Sequence, residues 1–262
     1  MASFRTFSVA FLILLTSSVF AKDTINTNNP PLHCPSGQHV VHQHPRRAYI
    51  RADGRHFSAT TVHTHCADNP LGYSIWSSRV KEGSPSNWPR AEEKAIQWSV
   101  EERERTYEAL SYLPELFRDK AKIDGLYRMQ RSMDFPNPAT SDRMNHIVLY
   151  DTAFDESRNL SQILAHEFAH QAYYGFSPTD RTSYEMIAGW FNYGTPQHPD
   201  WRCVRGKFYK PGNETNQEED FANNTEYFLF HPNEAQREMP SVYNWFKRHF
   251  GASFKIGKGS PQ

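Results

Sequence analysis

The sequence has no net charge, with 29 Lys and Arg set against 29 Asp and Glu in 262 residues. A balanced chain offers no nucleic acid a basic face and no anionic membrane a polybasic anchor. Cysteine is scarce, at three residues, and Cys34, Cys66 and Cys203 are not spaced as a zinc-ligand set. Beyond the first twenty-odd residues no stretch is apolar enough to span a bilayer core of roughly 30 Å. No internal repeat is evident. What is present is globular in composition: 14% aromatic and 22% charged residues, in a length that suits one sizeable domain or one domain with a small companion.

The N-terminus reads as a separate object. Arg5 precedes an apolar run from Val9 to Leu15, extended by Val19 and Phe20, and Val19 and Ala21 stand where a signal peptidase takes small residues. The expectation is a signal peptide over residues 1–21, a secreted or periplasmic protein, and no membrane anchor after cleavage. Export permits disulfides. Cys34 and Cys66 bracket one β-rich segment and are the preferred pair. Cys203 is then a leftover thiol, or it pairs with one of the others.

Residues 22–86 read as a small His-rich β module and its connector. Residues 38–44 and 46–52 are extended, Asp53-Gly54 is a hairpin turn, and 55–65 form the return strand. The module holds His39, His42, His44, His56, His63 and His65. Alternate strand residues share a face, so His42 with His44, or His63 with His65, offers the outline of a second metal site. Such a site needs supporting carboxylates, and Asp53 serves the turn, so a solvated basic face is the preferred reading.

Residues 87–262 are expected to form the main domain. A helical pattern starts near Pro89 and ends by Pro114, residues 123–130 suit a strand, and 131–142 form a loop. His146–Tyr150 is β-prone. Leu160–Tyr174 has helical spacing and stops at Gly175. Residues 176–214 read as loop-rich, 216–230 as a helix stopped by His231-Pro232, and 240–250 as an aromatic helix lying as a lid on the core. The class is α+β.

The chemistry sits at His166-Glu167-Phe168-Ala169-His170. Residues four apart on a helix project to nearly the same side, so both imidazoles reach one zinc ion at about 2.0–2.1 Å. Glu167 then stands beside the metal, where it takes a proton from water. A third protein ligand is needed, and carboxylates cluster at Glu214, Glu218, Glu219 and Asp220. Helical spacing puts Glu219, Ala222, Asn223 and Glu226 on one side.

The pattern of His-Glu-x-x-His, about fifty residues, and Asn216-Gln217-Glu218-Glu219-Asp220-Phe221-Ala222 resembles the gluzincin peptidases over residues 143–250. It is closest to the lethal-factor-like group, which includes secreted Pro-Pro endopeptidases. The resemblance implies a zincin-like metallopeptidase domain: an active-site helix, a small mixed sheet and a helical C-terminal part. It implies one Zn2+ held by His166, His170 and Glu219, with Glu218 as the other register. It also implies Glu167 as general base, and a protein or peptide substrate lying along an edge strand, for which His146–Tyr150 is the candidate. The chain is expected to act as a monomer.

Two positions depart from that pattern. Asn223 stands where the family has an acidic residue supporting the ligands, leaving Asp220 as the replacement. Gly212 stands where the family has an oxyanion-stabilising Tyr; Tyr209 is the nearest candidate, with Tyr193 and His231 as alternatives. The departures keep two other functions open: a secreted binding protein on a catalytically retired scaffold, and a zinc hydrolase of a non-peptide or cell-wall amide bond. Asn159, Asn213 and Asn223 each begin an Asn-x-Ser/Thr triplet, and Asn223 is expected to stay unmodified if Glu219 is a ligand.

Overall fold

The computed structural model describes residues 34, 38–41, 43–51, 53–68, 78–114, 117–118, 121–205 and 216–250. Within it the N-terminal segment folds about Asp53 and Gly54. Gly54 adopts φ 79°, a left-handed conformation that strains any L side chain. Strand β1 (Gln38–Val41) pairs with β6 (His65–Asp68), β2 (His44–Arg46) with β5 (Thr60–Val62), and β3 (Tyr49–Ile50) with β4 (His56–Phe57), all antiparallel. The result is one long interrupted hairpin, and a Cys34–Cys66 disulfide ties its base. Cys203 is a free thiol.

The hairpin lies against α1 (Val100–Ser111). His39 Nε2 meets Glu104 at 3.1 Å, the Arg47 N–H donates to Glu101, and the Tyr49 hydroxyl donates to Glu108. Residues from Cys34 onward form one compact unit. The helix expected from Pro89 begins only at Val100, because Ser99 and Glu102 form a reciprocal capping box there. The preceding residues run beside residues 128–130 instead: Ile96 N–H donates to the Arg128 carbonyl and Gln130 N–H to the Lys94 carbonyl.

A three-stranded sheet lies next to α1 in the chain. Strands β7 (Gly125–Arg128), β8 (Ala139–Ser141) and β9 (His146–Leu149) are ordered β7-β9-β8, with β9 parallel to β7 and antiparallel to β8. This corrects the edge-strand expectation. His146–Leu149 is the buried central strand, and β8 is the edge among the described residues. Four consecutive buried residues in β9 fit a strand covered on both faces better than an alternating edge.

A 3-10 turn (Asp151–Phe154) leads into α2 (Leu160–Tyr174), capped by the Asn159 side chain, which accepts from Ser161 N–H and Gln162 N–H. The region expected to be loop contains α3 (Pro178–Ala188), with Ser177 at its N-cap, Pro178 in its first turn and Gly189 at φ 84° closing it. Strands β10 (Trp190–Asn192) and β11 (Trp201–Cys203) form a hairpin. Helix α4 (Gln217–Phe230) is followed by α5 (Pro232–Glu238), since Pro232 starts a new helix where it stops the old one. Helix α6 (Pro240–Phe250) buries Trp245, Phe246 and Phe250 completely or nearly so, and is part of the core.

Helices α2 and α4 pack side by side. Phe221 of α4 lies tilted against Tyr173 of α2 at 5.5 Å and edge-on to Tyr184 of α3 at 4.8 Å, with no exposure of its own. Truncating such a residue costs about 3–5 kcal/mol, so this contact fixes where α4 sits against α2. No described helix is long and apolar enough to cross a membrane.

Candidate metal centre

Leu164 and Phe168 turn one side of α2 into the core. His166 and His170 share another side, with ring centroids 4.9 Å apart and Nε2 atoms 3.2 Å apart. Helix α4 supplies the facing carboxylate. Asn216 caps that helix by accepting from the Glu219 N–H at 2.8 Å. Glu219 then sets Oε2 at 3.5 Å from His166 Nε2 and Oε1 at 3.5 Å from His170 Nε2. Bonds of about 2.0–2.1 Å in a tetrahedron imply donor–donor edges of roughly 3.3 Å. The His–His edge of 3.2 Å matches that figure, each histidine meets its own oxygen of the Glu219 carboxylate at 3.5 Å, and one ligand atom from each of the three residues lies within 4.8 Å of the others, so the group could hold a small cation. Among the described residues this is the group of three that could hold a metal ion.

The charges agree with that use. Two imidazoles in such contact cannot both carry a positive charge. Burial and the neighbouring His166 push His170 down to about 4, so it is neutral. Burial opposes the charge on His166 too, but the hydrogen bond to Glu219 and the carboxylates of Glu167, Glu219 and Glu226 outweigh it and raise His166. The His166 hydrogen bond holds Glu219 below the usual carboxylate range. His170 Nδ1 is buried without a hydrogen-bond partner among the described residues.

Glu167 follows the first histidine and is buried. Burial raises its carboxyl to about 6, against the lowering pull of His166 and of donation from the Ser141 hydroxyl and N–H. Ser141 belongs to β8. Tyr150 N–H donates to Pro138 and Asp142 N–H to His146, so the intervening Ala139 and Ser141 direct their backbone groups away from β9. The edge strand thus holds Glu167 and keeps the Ala139 N–H and C=O on its outer side.

Beside these groups opens a cleft of about 380 Å³, bounded by Pro138 before β8, by Arg158 and Gln162 at the start of α2, and by Asn223 and Glu226 on α4. His166 and Glu167 form its inner wall.

The other sequence candidates separate cleanly. Glu218 accepts from Arg143 at 2.7 Å and from the Tyr174 hydroxyl at 3.1 Å, away from the histidine nitrogens. Asp220 is not the carboxylate behind the ligands. It is fully buried under Tyr184, Trp190 and Arg205. That place is taken by Glu226, whose Oε2 is 3.9 Å from His166 Nδ1. Glu226 lay on the stripe that helical spacing picks out, two turns beyond Glu219 where one turn was expected. Tyr209, the candidate oxyanion donor, lies outside the described residues. Tyr193 is exposed under the Arg202 guanidinium. His231 caps the far end of α4, about 18 Å along the axis from Glu219. Asn159 donates its Nδ2 to the Arg51 carbonyl, and Asn223 is 7% exposed, so neither offers an amide for a sugar; Asn213 lies outside the described residues.

Neither the protein-family models, the curated proteins nor the solved structures contain a match to this chain.

Proposed function

We propose that this chain is an exported zinc-dependent endopeptidase with a zincin-like arrangement of gluzincin type. The observation that carries the reading is the convergence of His166, His170 and Glu219 at 3.2–3.5 Å, with Glu167 held between that group and an edge strand. Zinc in such a site supplies a Lewis acid that lowers the pKa of water towards 7 and polarises a carbonyl. Glu167 accepts the water proton and later delivers it to the leaving amine. Burial, which raises the Glu167 carboxyl to about 6, suits it better to carry a proton near neutral pH than a solvated carboxylate. An extended substrate adds to β8 through the Ala139 N–H and C=O, which brings its carbonyl towards Glu167. Tyr193 and His231 stand away from the metal group, so Tyr209 is kept as the candidate oxyanion donor.

Export rests on the reading of residues 1–21, which lie outside the described residues. The Cys34–Cys66 disulfide supports it, because such bonds persist in oxidising compartments.

The test is cleavage of a mixed peptide library by the zinc-loaded protein, read by mass spectrometry. Glu167→Gln is expected to cut the rate by about 10²–10⁴-fold while zinc content holds. Unchanged cleavage in that variant refutes the mechanism. Retained zinc with no cleavage by the unsubstituted protein points to a binding protein on the same scaffold. Cleavage confined to non-peptide amides points to the other hydrolase.

A further inference from the structure

We infer that the cleft beside the metal centre is a carboxylate-recognition subsite whose donors are the Arg158 guanidinium and the Asn223 amide. The inference rests on the peptidase reading for what delivers the carboxylate, and it deepens that reading by naming a substrate class.

Arg158 is half-buried, just before the Asn159 cap of α2, and lines the same cleft as His166 and Glu167. Arg51, Arg90, Arg128 and Arg205 each face a carboxylate. Among the described residues no hydrogen bond or ion pair engages the side chain of Arg158. Asn223 is more than nine-tenths buried and opens onto the same space. Its amide also meets no partner among the described residues and stays open to the cleft, where a ligand can reach it. Gln162 on the first turn of α2 adds a third amide to the lining.

The two carboxylates of the cleft do not cancel the cation. Glu226 is turned to His166 and Glu167 is held by Ser141. An acidic residue at 223 would lie in the same cleft and offset Arg158; the neutral amide leaves the positive charge available. A planar guanidinium fork matches a carboxylate by two parallel hydrogen bonds. The carboxylate comes from one of two sources: an Asp or Glu side chain close to the scissile bond, or the free C-terminus of a short substrate.

Binding separates this from the chemistry. Zinc-loaded Glu167→Gln protein is titrated with three peptides of one length: one with Glu and an amidated end, one with Gln and an amidated end, and one with Gln and a free carboxyl end. At least one carboxylate peptide is expected to bind about ten-fold more tightly than the amidated Gln peptide. The tighter of the two identifies the source. Arg158→Gln is expected to erase the preference with zinc content unchanged, and Arg158→Lys, which keeps the charge without the fork, to retain part of it. Equal binding of the three peptides, a preference that survives Arg158→Gln, or no peptide binding overturns the inference. A preference shown by a protein that cleaves nothing leaves the subsite standing and removes the peptidase.

Discussion

The hairpin of β1 to β6 carries five described histidines, His39, His44, His56, His63 and His65, against two in α2, yet the metal-capable group forms on the helix. On the hairpin each histidine meets separate surroundings. His39 is taken by Glu104, and the His65 ring bonds the His63 carbonyl. The strands are two to four residues long and interrupted, so no spacing repeats for long enough to line up two rings and a carboxylate. On α2 one turn of regular helix sets both rings on one side, and a second helix anchored by Phe221 brings the acid. Density of ligand residues counts for less than a rigid frame that makes them converge.

That contrast can be broken at four points. Glu219→Ala should weaken metal retention by more than about 100-fold, since loss of an outer partner alone costs 10–100-fold. Glu218→Ala should leave it unchanged, and competition with a chromophoric chelator measures both. The reverse result would move the ligand one place along α4. Glu226→Gln should cost about 10–100-fold in affinity, because it loosens His166 without removing a donor. Acidification should lower affinity by about ten-fold per pH unit below the raised pKa of His166, down to about pH 4. His170 is neutral above about 4 and Glu219 is held below the usual carboxylate range, so the His166 proton is the one displaced from the ligands. A hundred-fold slope would mean that a second proton leaves, and Glu167→Gln tells whether it comes from that carboxyl, which burial raises to about 6, or from His170. The smallest effect is expected from replacing all five hairpin histidines with Gln: metal stoichiometry by elemental analysis should not change, and a fall would place a ligand on the hairpin.

The legible parts of the sequence were those with a short-range cause. His166 and His170 could be paired because helical spacing fixes them, and Asp53-Gly54 announced the hairpin because a left-handed turn demands such residues. Helix α4 showed in its Asn216 cap and acidic first turn. Helix α3 was missed although its Ser177-Pro178 start and Gly189 end are ordinary signals; the aromatic residues around it obscured them. The centrality of β9 was not readable, since the pairing of β8 and β7 on either side depends on chain far from it in sequence. Nothing in the sequence marks Arg158. Its meaning comes from which neighbours it lacks, and only packing decides that.

Glu219 is clamped from both directions along its own helix. The Asn216 side chain holds its N–H, and Asp220 next to it is locked by Tyr184, Trp190 and Arg205. Such a backbone starts the Glu219 side chain from a fixed point facing His166 and His170. Calcium asks for six to eight oxygens at about 2.3–2.6 Å, and magnesium for a nearly ideal octahedron of mostly water. Neither is satisfied by two nitrogens and a carboxylate kept close together. The chemistry of the donor set itself therefore selects against those two ions.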